Sequence, residues 1–166
     1  MTGYTVPERS MQIIIYPKEG IYMTVKQLSV FVENRAGRLS TITRLLGDNG
    51  INIRAMSIAD TKDFGILRLI VNDSEKALEV LKANSYAVTC TNVLALRLSD
   101  KPGGLADAMT CLYKDNISVE YMYAAFISET EETAYLILRT DKTDEAVTAL
   151  TEGGFKLVSD EEMRSL

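Results

Sequence analysis

Two short segments carry residues of matching type at matching spacing: Asn34-x-x-Gly37-x-Leu39 and Asp100-x-x-Gly103-x-Leu105. Each follows an apolar run and opens a helical pattern. A helix starting there leaves its first backbone N–H groups without intrahelical partners, and a carboxylate can dock on them. The Asn34 or Asp100 side-chain oxygen would accept from an amino group beside it. An architectural reading uses the same residues. Asn34 and Asp100 would orient the turn, Gly37 and Gly103 would give backbone freedom, and Pro102 would fix φ near the helix start. Spacing alone leaves both open.

Other chemistries lack their residues. The chain has no histidine, which removes the commonest general base and metal ligand. Cys90 and Cys111 form no CxxC pair, so neither zinc nor a redox couple is indicated. They read as small core hydrophobes in a reducing compartment. Phosphate-binding and nucleophile-elbow glycine motifs are missing as well. The expectation is a non-catalytic protein with no cofactor and no metal.

The 166 residues are 46% hydrophobic, with a formal charge of −5. The 18 basic residues are scattered, which argues against a nucleic-acid partner. No run approaches the roughly 20 apolar residues of a membrane span. With no leader pattern at the N-terminus, a cytoplasmic location is expected.

The elements that must position the loops come in two copies. Shifted by 66 residues, the segment from Lys26 falls on the segment from Asn92. Leu45 then meets Cys111, Ile51 meets Ile117, and Met56 meets Met122. Further along the shift grows to 69, so that Leu81 meets Leu150 and Tyr86 meets Phe155. The drift falls between elements, where insertions are tolerated.

In each copy a first strand (Gln27–Val32; Val93–Leu98) leads into a helix carrying Leu39, Ile42, Leu45 and Leu46, or Leu105, Ala108, Met109 and Leu112. Second strands (Ile51–Ala59; Ile117–Ile127) and third strands (Phe64–Val71; Thr133–Arg139) are joined by polar turns at 60–63 and 128–132. Ser74 and Thr143 are candidate N-caps of second helices ending near Ala83 and Glu152. Last strands begin near Tyr86 and Phe155.

The order β-α-β-β-α-β, twice, predicts an α+β fold of two ferredoxin-like domains, each a four-stranded antiparallel sheet with two helices on one face. The helix-free sheet face must be covered, and a second copy is the natural cover. The expected division is an N-terminal extension over 1–25, a first domain over 26–92 and a second over 93–166. Residues Met11–Met23 could add a hairpin, or Met23 could be the native start. Tyr121, Tyr123 and Phe126 fit sheet packing better than base stacking in an acidic chain.

Val30-Phe31-Val32-Glu33-Asn34-Arg35-Ala36-Gly37-Arg38-Leu39, with Ile51-Asn52-Ile53 beyond the helix, resembles the opening of an ACT domain. Leu96-Arg97-Leu98-Ser99-Asp100-Lys101-Pro102-Gly103-Gly104-Leu105, followed by Asn116-Ile117-Ser118-Val119, resembles it more closely. Asn34 and Ala36 stand where the family usually has an acidic residue and a proline.

The resemblance implies an amino-acid-responsive regulatory protein whose ligand lies between paired domains. It implicates Asn34, Ala36, Gly37, Arg38 and Leu39, with Asn52 and Ile53 opposite. In the second copy it implicates Asp100, Pro102, Gly103, Gly104 and Leu105, with Ser118 and Val119. A homodimer is the expected assembly and a metabolic enzyme the possible target. The alternative is a ligand-independent interaction module that assembles or modulates such an enzyme.

Overall fold

The computed structural model describes residues 23–60, 64–125 and 133–165. The first copy contains β1 (Val25–Glu33), α1 (Arg38–Asp48), β2 (Ile53–Asp60), β3 (Phe64–Val71) and α2 (Ser74–Ala83). The chain continues through β4 (Val88–Ser99), α3 (Gly104–Lys114), β5 (Val119–Ala124) and β6 (Thr133–Thr140). It ends with α4 (Thr143–Glu152), β7 (Lys156–Leu157) and α5 (Asp160–Ser165).

Period-two alternation assigns the strand faces. Along β1, Leu28, Val30 and Val32 meet Ile42 and Leu46 of α1 and Ala77 and Leu81 of α2. In the second copy Leu94, Leu96 and Leu98 meet Ala108 and Leu112 of α3 and Ala146 and Leu150 of α4. Strand order is β2-β3-β1-β4 in one copy and β5-β6-β4-β7 in the other, antiparallel throughout. This is the ferredoxin-like arrangement expected from the repeat.

β4 serves both copies. Val88–Val93 pair with β1, and Leu94–Ser99 pair with β6. The sequence pattern suggests two separate strands here, whereas the structure has one strand of 12 residues. The reason is local: from Val88 to Val93 no glycine or proline interrupts a β-branched run. The residue 92/93 division falls inside this strand.

The helix-free faces meet each other. Val25, Ala55 and Ile70 of the first copy pack with Ala95, Tyr135, Ile137 and Val158 of the second. A bridge between Ala55 and Ala125 joins β2 to the end of β5, so the sheet curls until its outermost strands touch. The helices lie outside. Gln27, fully buried, is held within this inner face by Tyr121 and Tyr123.

The final helix α5 is absent from the sequence reading. Ser159 and Glu162 form a reciprocal cap, with Ser159 N–H donating to Glu162 Oε2 at 3.0 Å and Glu162 N–H donating to Ser159 Oγ at 3.2 Å. Met163 inserts between the sheets at 1% exposure. Lys26 N–H donates to Asp160 Oδ1 at 2.9 Å, and Arg54 Nη2 donates to the Arg164 carbonyl at 3.2 Å. The helix thus ties the end of the second copy to the first. Arg54 reaches it from a β-bulge, where the β2–β3 register shifts.

Three local expectations are corrected. Asp73, rather than Ser74, caps α2 by accepting from Lys76 N–H, because its charged oxygen is the stronger acceptor. Lys142, rather than Thr143, precedes α4 and provides no side-chain cap. Cys90 is exposed and Cys111 half-buried, so neither is a fully buried core residue. The suggested hairpin over residues 11–23 falls on residues 1–22, outside the described residues apart from Met23. Turn residues 61–63 and 128–132, and Phe126, also lie outside them.

Candidate functional site

Both strand-to-helix loops hold their glycines in the same conformation. Gly37 has φ 86° and Gly103 φ 93°, left-handed conformations that favour glycine, and each occupies the N-cap. Neither α1 nor α3 receives a side-chain cap, so Asn34 and Asp100 do not close the helix starts.

In the first loop Arg38 N–H donates to the Arg35 carbonyl at 3.3 Å, and Thr41 N–H donates to the Gly37 carbonyl at 2.9 Å. Among the described residues, the Leu39 and Ser40 amides between them have no acceptor. In the second loop Gly104 N–H donates to the Lys101 carbonyl at 3.0 Å, and Asp107 N–H donates to the Gly103 carbonyl at 3.1 Å. Leu105 and Ala106 are left in the same position. Each helix therefore presents two unclaimed N–H groups.

Asn34, Ala36, Gly37, Arg38 and Leu39 are all exposed, as are Asp100, Pro102, Gly103 and Leu105. Gly104 is half-buried, and a Cβ there would collide with the Ser99 carbonyl oxygen. The second loop lies closer to its strand than a side-chain-bearing residue permits. Arg38 holds the matching position in the first loop.

The residues expected opposite the loops lie elsewhere within each copy. Ile53 pairs with Val71 at the end of β3, and Leu69 pairs with Leu28 near the start of β1. Asn52 and Ile53 are thus at the far end of the sheet from the first loop. Asn52 N–H is engaged by Asn72 Oδ1 and Ser118 N–H by Asp141 Oδ1, both at 2.8 Å. Between copies the relation changes. Ala55 bridges Ala125, and Ser99 pairs with Thr133, which puts the start of β2 at the same end of the molecule as the second loop.

A groove of about 490 Å³ lies beside the first loop, lined by Phe31, Glu33, Arg38, Phe64 and Tyr86 among others. Arg38 Nη2 donates to Glu33 Oε2 at 2.8 Å, and Arg35 Nε lies 3.6 Å from the same oxygen. The Arg38 hydrogen bond, followed by the positive charges of Arg35 and Arg38, holds the Glu33 carboxyl below its ordinary range. The same pairing raises Arg38. The second copy has a groove of about 510 Å³ in the equivalent place, with Arg97, Ser99 and Lys156 on its walls.

Glu33, Phe31, Phe64 and Tyr86 were not singled out by sequence reasoning. The available signal was alternation along the first strand, which puts Phe31 and Glu33 on one face.

The profile of the ACT domain pair matches residues 23–166. The chain belongs to this family. Among solved structures, the ACT pair is similar to a Bacteroides thetaiotaomicron protein at 36% identity and a TM-score of 0.82. That likeness covers 87% of this chain and 99% of the other.

The ligand-free regulatory subunit of aspartate kinase from Thermus thermophilus matches at 12% identity and a TM-score of 0.57. There the coverage is 77% of this chain and 91% of that one. The corresponding Thermus flavus subunit gives 12% identity, a TM-score of 0.55 and coverage of 78% and 92%. At such identity these two show the fold alone. No curated protein matches the sequence. Among the described residues, no helix of the ACT pair is long and apolar enough to cross a membrane.

Proposed function

We propose that this ACT domain pair is a non-catalytic regulatory protein that binds an α-amino acid at its first strand–helix loops. The observation carrying the reading is the pair of unclaimed amides at each loop, Leu39 with Ser40 and Leu105 with Ala106. A ligand carboxylate accepts from both, while Asn34 or Asp100 accepts from the ligand ammonium. Asn52, Ile53, Ser118 and Val119 from a neighbouring unit complete the wall.

The magnitudes are adequate for a metabolite sensor. Hydrogen bonds to a charged group contribute about 1.5–3 kcal/mol each, and the helix terminus adds about 0.3–1 kcal/mol. Two such bonds with the terminus total about 3–7 kcal/mol, against about 4 kcal/mol for millimolar and about 8 kcal/mol for micromolar binding.

The proposed protein works as a homodimer in the cytoplasm, with a metabolic enzyme as the regulated partner. Thermal-shift measurements across the common amino acids test the binding step. At 100-fold excess over Kd, linkage gives about 2.7 kcal/mol of stabilisation, or a rise of about 5–10 °C for a chain of this size. Asp100→Ala should remove the response of the second loop. No shift with any amino acid at about 10 mM would contradict the reading.

A further inference from the structure

The outer strands β2 and β5 touch at one bridge, Ala55 to Ala125, and among the described residues are not paired beyond it. Past that point each presents an open strand edge, a ready template for another strand. Both strands are regular where they approach the bridge. Ala55–Asp60 run against β3 without a register shift, and Tyr121–Ala124 run against β6 without one. The two bulges lie just outside, between Ile53 and Ala55 and between Val119 and Tyr121.

Regular antiparallel pairing fixes what a longer contact would be. Counted from the bridge, Ser57 meets Tyr123, Ile58 meets Met122 and Ala59 meets Tyr121. Ile58 and Met122 are both exposed, at 45% and 44%, and this register sets them opposite each other. They also share a face. Ile58 pairs with Leu67 and Met122 with Leu138, and each partner lies in a helix-packed core. On the inner face the same register sets each tyrosine ring against a small side chain, Ser57 or Ala59. Large against small lets facing positions interdigitate.

We propose that β2 and β5 form a seam that zips closed from the Ala55–Ala125 bridge in this one register. Closure turns the curled path β2-β3-β1-β4-β6-β5 into a barrel, pairs both edges and covers Ile58 with Met122. The bulges at either end supply the bend that a closing sheet needs. Each outer strand belongs to a different copy, so the seam sets how the two copies sit together. Asn52 and Ile53 stand at the start of β2, and Ser118 and Val119 at the start of β5. Closure therefore shifts the walls assigned above to the ligand. Only that consequence rests on the amino-acid reading; the seam stands on register and exposure.

Disulfide trapping in the full chain tests the seam, with Cys90→Ser and Cys111→Ala so that only introduced thiols react. Ile58→Cys with Met122→Cys should oxidise at least about tenfold faster than Ile58→Cys with Ala124→Cys, which lies two residues out of register. All three positions are exposed, so the chain tolerates the changes. In the oxidised in-register variant, seam-facing amides between Ser57 and Ala59 and between Tyr121 and Tyr123 should exchange hydrogen at least about tenfold more slowly than in its reduced form.

Equal oxidation of the two pairs would overturn the register. A crosslink without slowed exchange would overturn the zipper, because the strands would then touch without pairing. An in-register pair that fails to oxidise would overturn it as well. None of these outcomes bears on the thermal-shift screen, which tests the amino-acid reading separately.

Discussion

Tyr123 donates its hydroxyl to Gln27 Oε1 at 2.9 Å across 96 residues of sequence, joining the two copies inside the curled sheet. Gln27 Nε2 donates in turn to Tyr121 Oη at 2.8 Å and to Ser29 Oγ at 3.2 Å. The Arg68 guanidinium covers the Tyr121 ring at 3.9 Å from its centroid. Polar groups in an otherwise apolar interface are costly unless matched, so this network favours one register of the two copies.

Gln27→Leu should therefore destabilise the chain by about 2–4 kcal/mol, because it strands two tyrosine hydroxyls in the interior. Adding Tyr121→Phe and Tyr123→Phe should recover most of the loss, since removing all partners is far milder than orphaning one. Urea unfolding of the single and triple variants checks the order. A single variant as stable as the parent would show that the network does not hold the interface.

Burial raises the Tyr123 phenol above its ordinary value, and the neighbouring Tyr121 adds to the effect. Tyrosinate absorbance should show Tyr123 still protonated above about pH 10, the ordinary range for a tyrosine. The folded value exceeds the unfolded one, so this stabilisation is complete below about pH 10 and declines as pH rises from there toward the raised value. Tyr123→Phe should flatten that alkaline decline.

Glu33 gives the opposite sign. Its carboxyl is held low by the Arg38 hydrogen bond and by the nearby positive charges. The contribution of the pair is present above the ordinary carboxylate range and is lost as pH falls through the lowered value. Carbon-13 NMR titration should find Glu33 ionised at acidities that protonate isolated surface glutamates. Arg38→Gln should move the carboxyl back up.

The glycines separate by environment. Ala at Gly103 meets no atom within 4 Å, so its cost comes from the positive φ alone, about 1–2 kcal/mol. Ala at Gly104 collides with a backbone carbonyl and should cost about 1–3 kcal/mol through forced movement. Ala at Gly47, inside α1 with open space around it, should stabilise by about 0.5–1 kcal/mol. Thermal unfolding of the three variants tests this ranking.

Met163→Ala measures the C-terminal tie. Truncating a fully buried Met costs about 2–5 kcal/mol. Hydrogen exchange should quicken at Val25, Lys26 and Val158, next to α5, more than at Leu81 or Leu112 in the helix-packed cores. Equal acceleration everywhere would assign α5 to the global core rather than to the junction.

Much of this architecture was legible because duplication doubled the evidence. An apolar run, an Asn or Asp three residues before a glycine, and a helical stripe recur at a fixed shift, and the ferredoxin-like order follows. The third strand of the first copy, Phe64–Val71, has the expected bounds.

What sequence could not supply was how the copies join. Val88–Val93 has no glycine or proline, yet nothing local says that one strand will serve two sheets. Gln27 looks like any polar strand residue until Tyr121 and Tyr123, more than 90 positions away, are brought against it. The helix α5 did leave a mark, the Ser159-x-x-Glu162 capping box, but six residues carry too little periodicity to declare themselves. The groove was hidden for the same reason as Gln27, since Phe31 of β1 and Tyr86, just before β4, are brought together only where Phe31 N–H donates to the Ala87 carbonyl at 2.9 Å.

The central claim is that free amides at duplicated helix starts receive the carboxylate of an amino acid. A crystal structure of the full chain soaked in an amino-acid mixture tests it most directly. The account predicts a carboxylate about 3 Å from the Leu39 and Ser40 amides, the Leu105 and Ala106 amides, or both sets. Water alone at all four amides, in crystals whose soaked protein shows a ligand bound elsewhere or none at all, would contradict it.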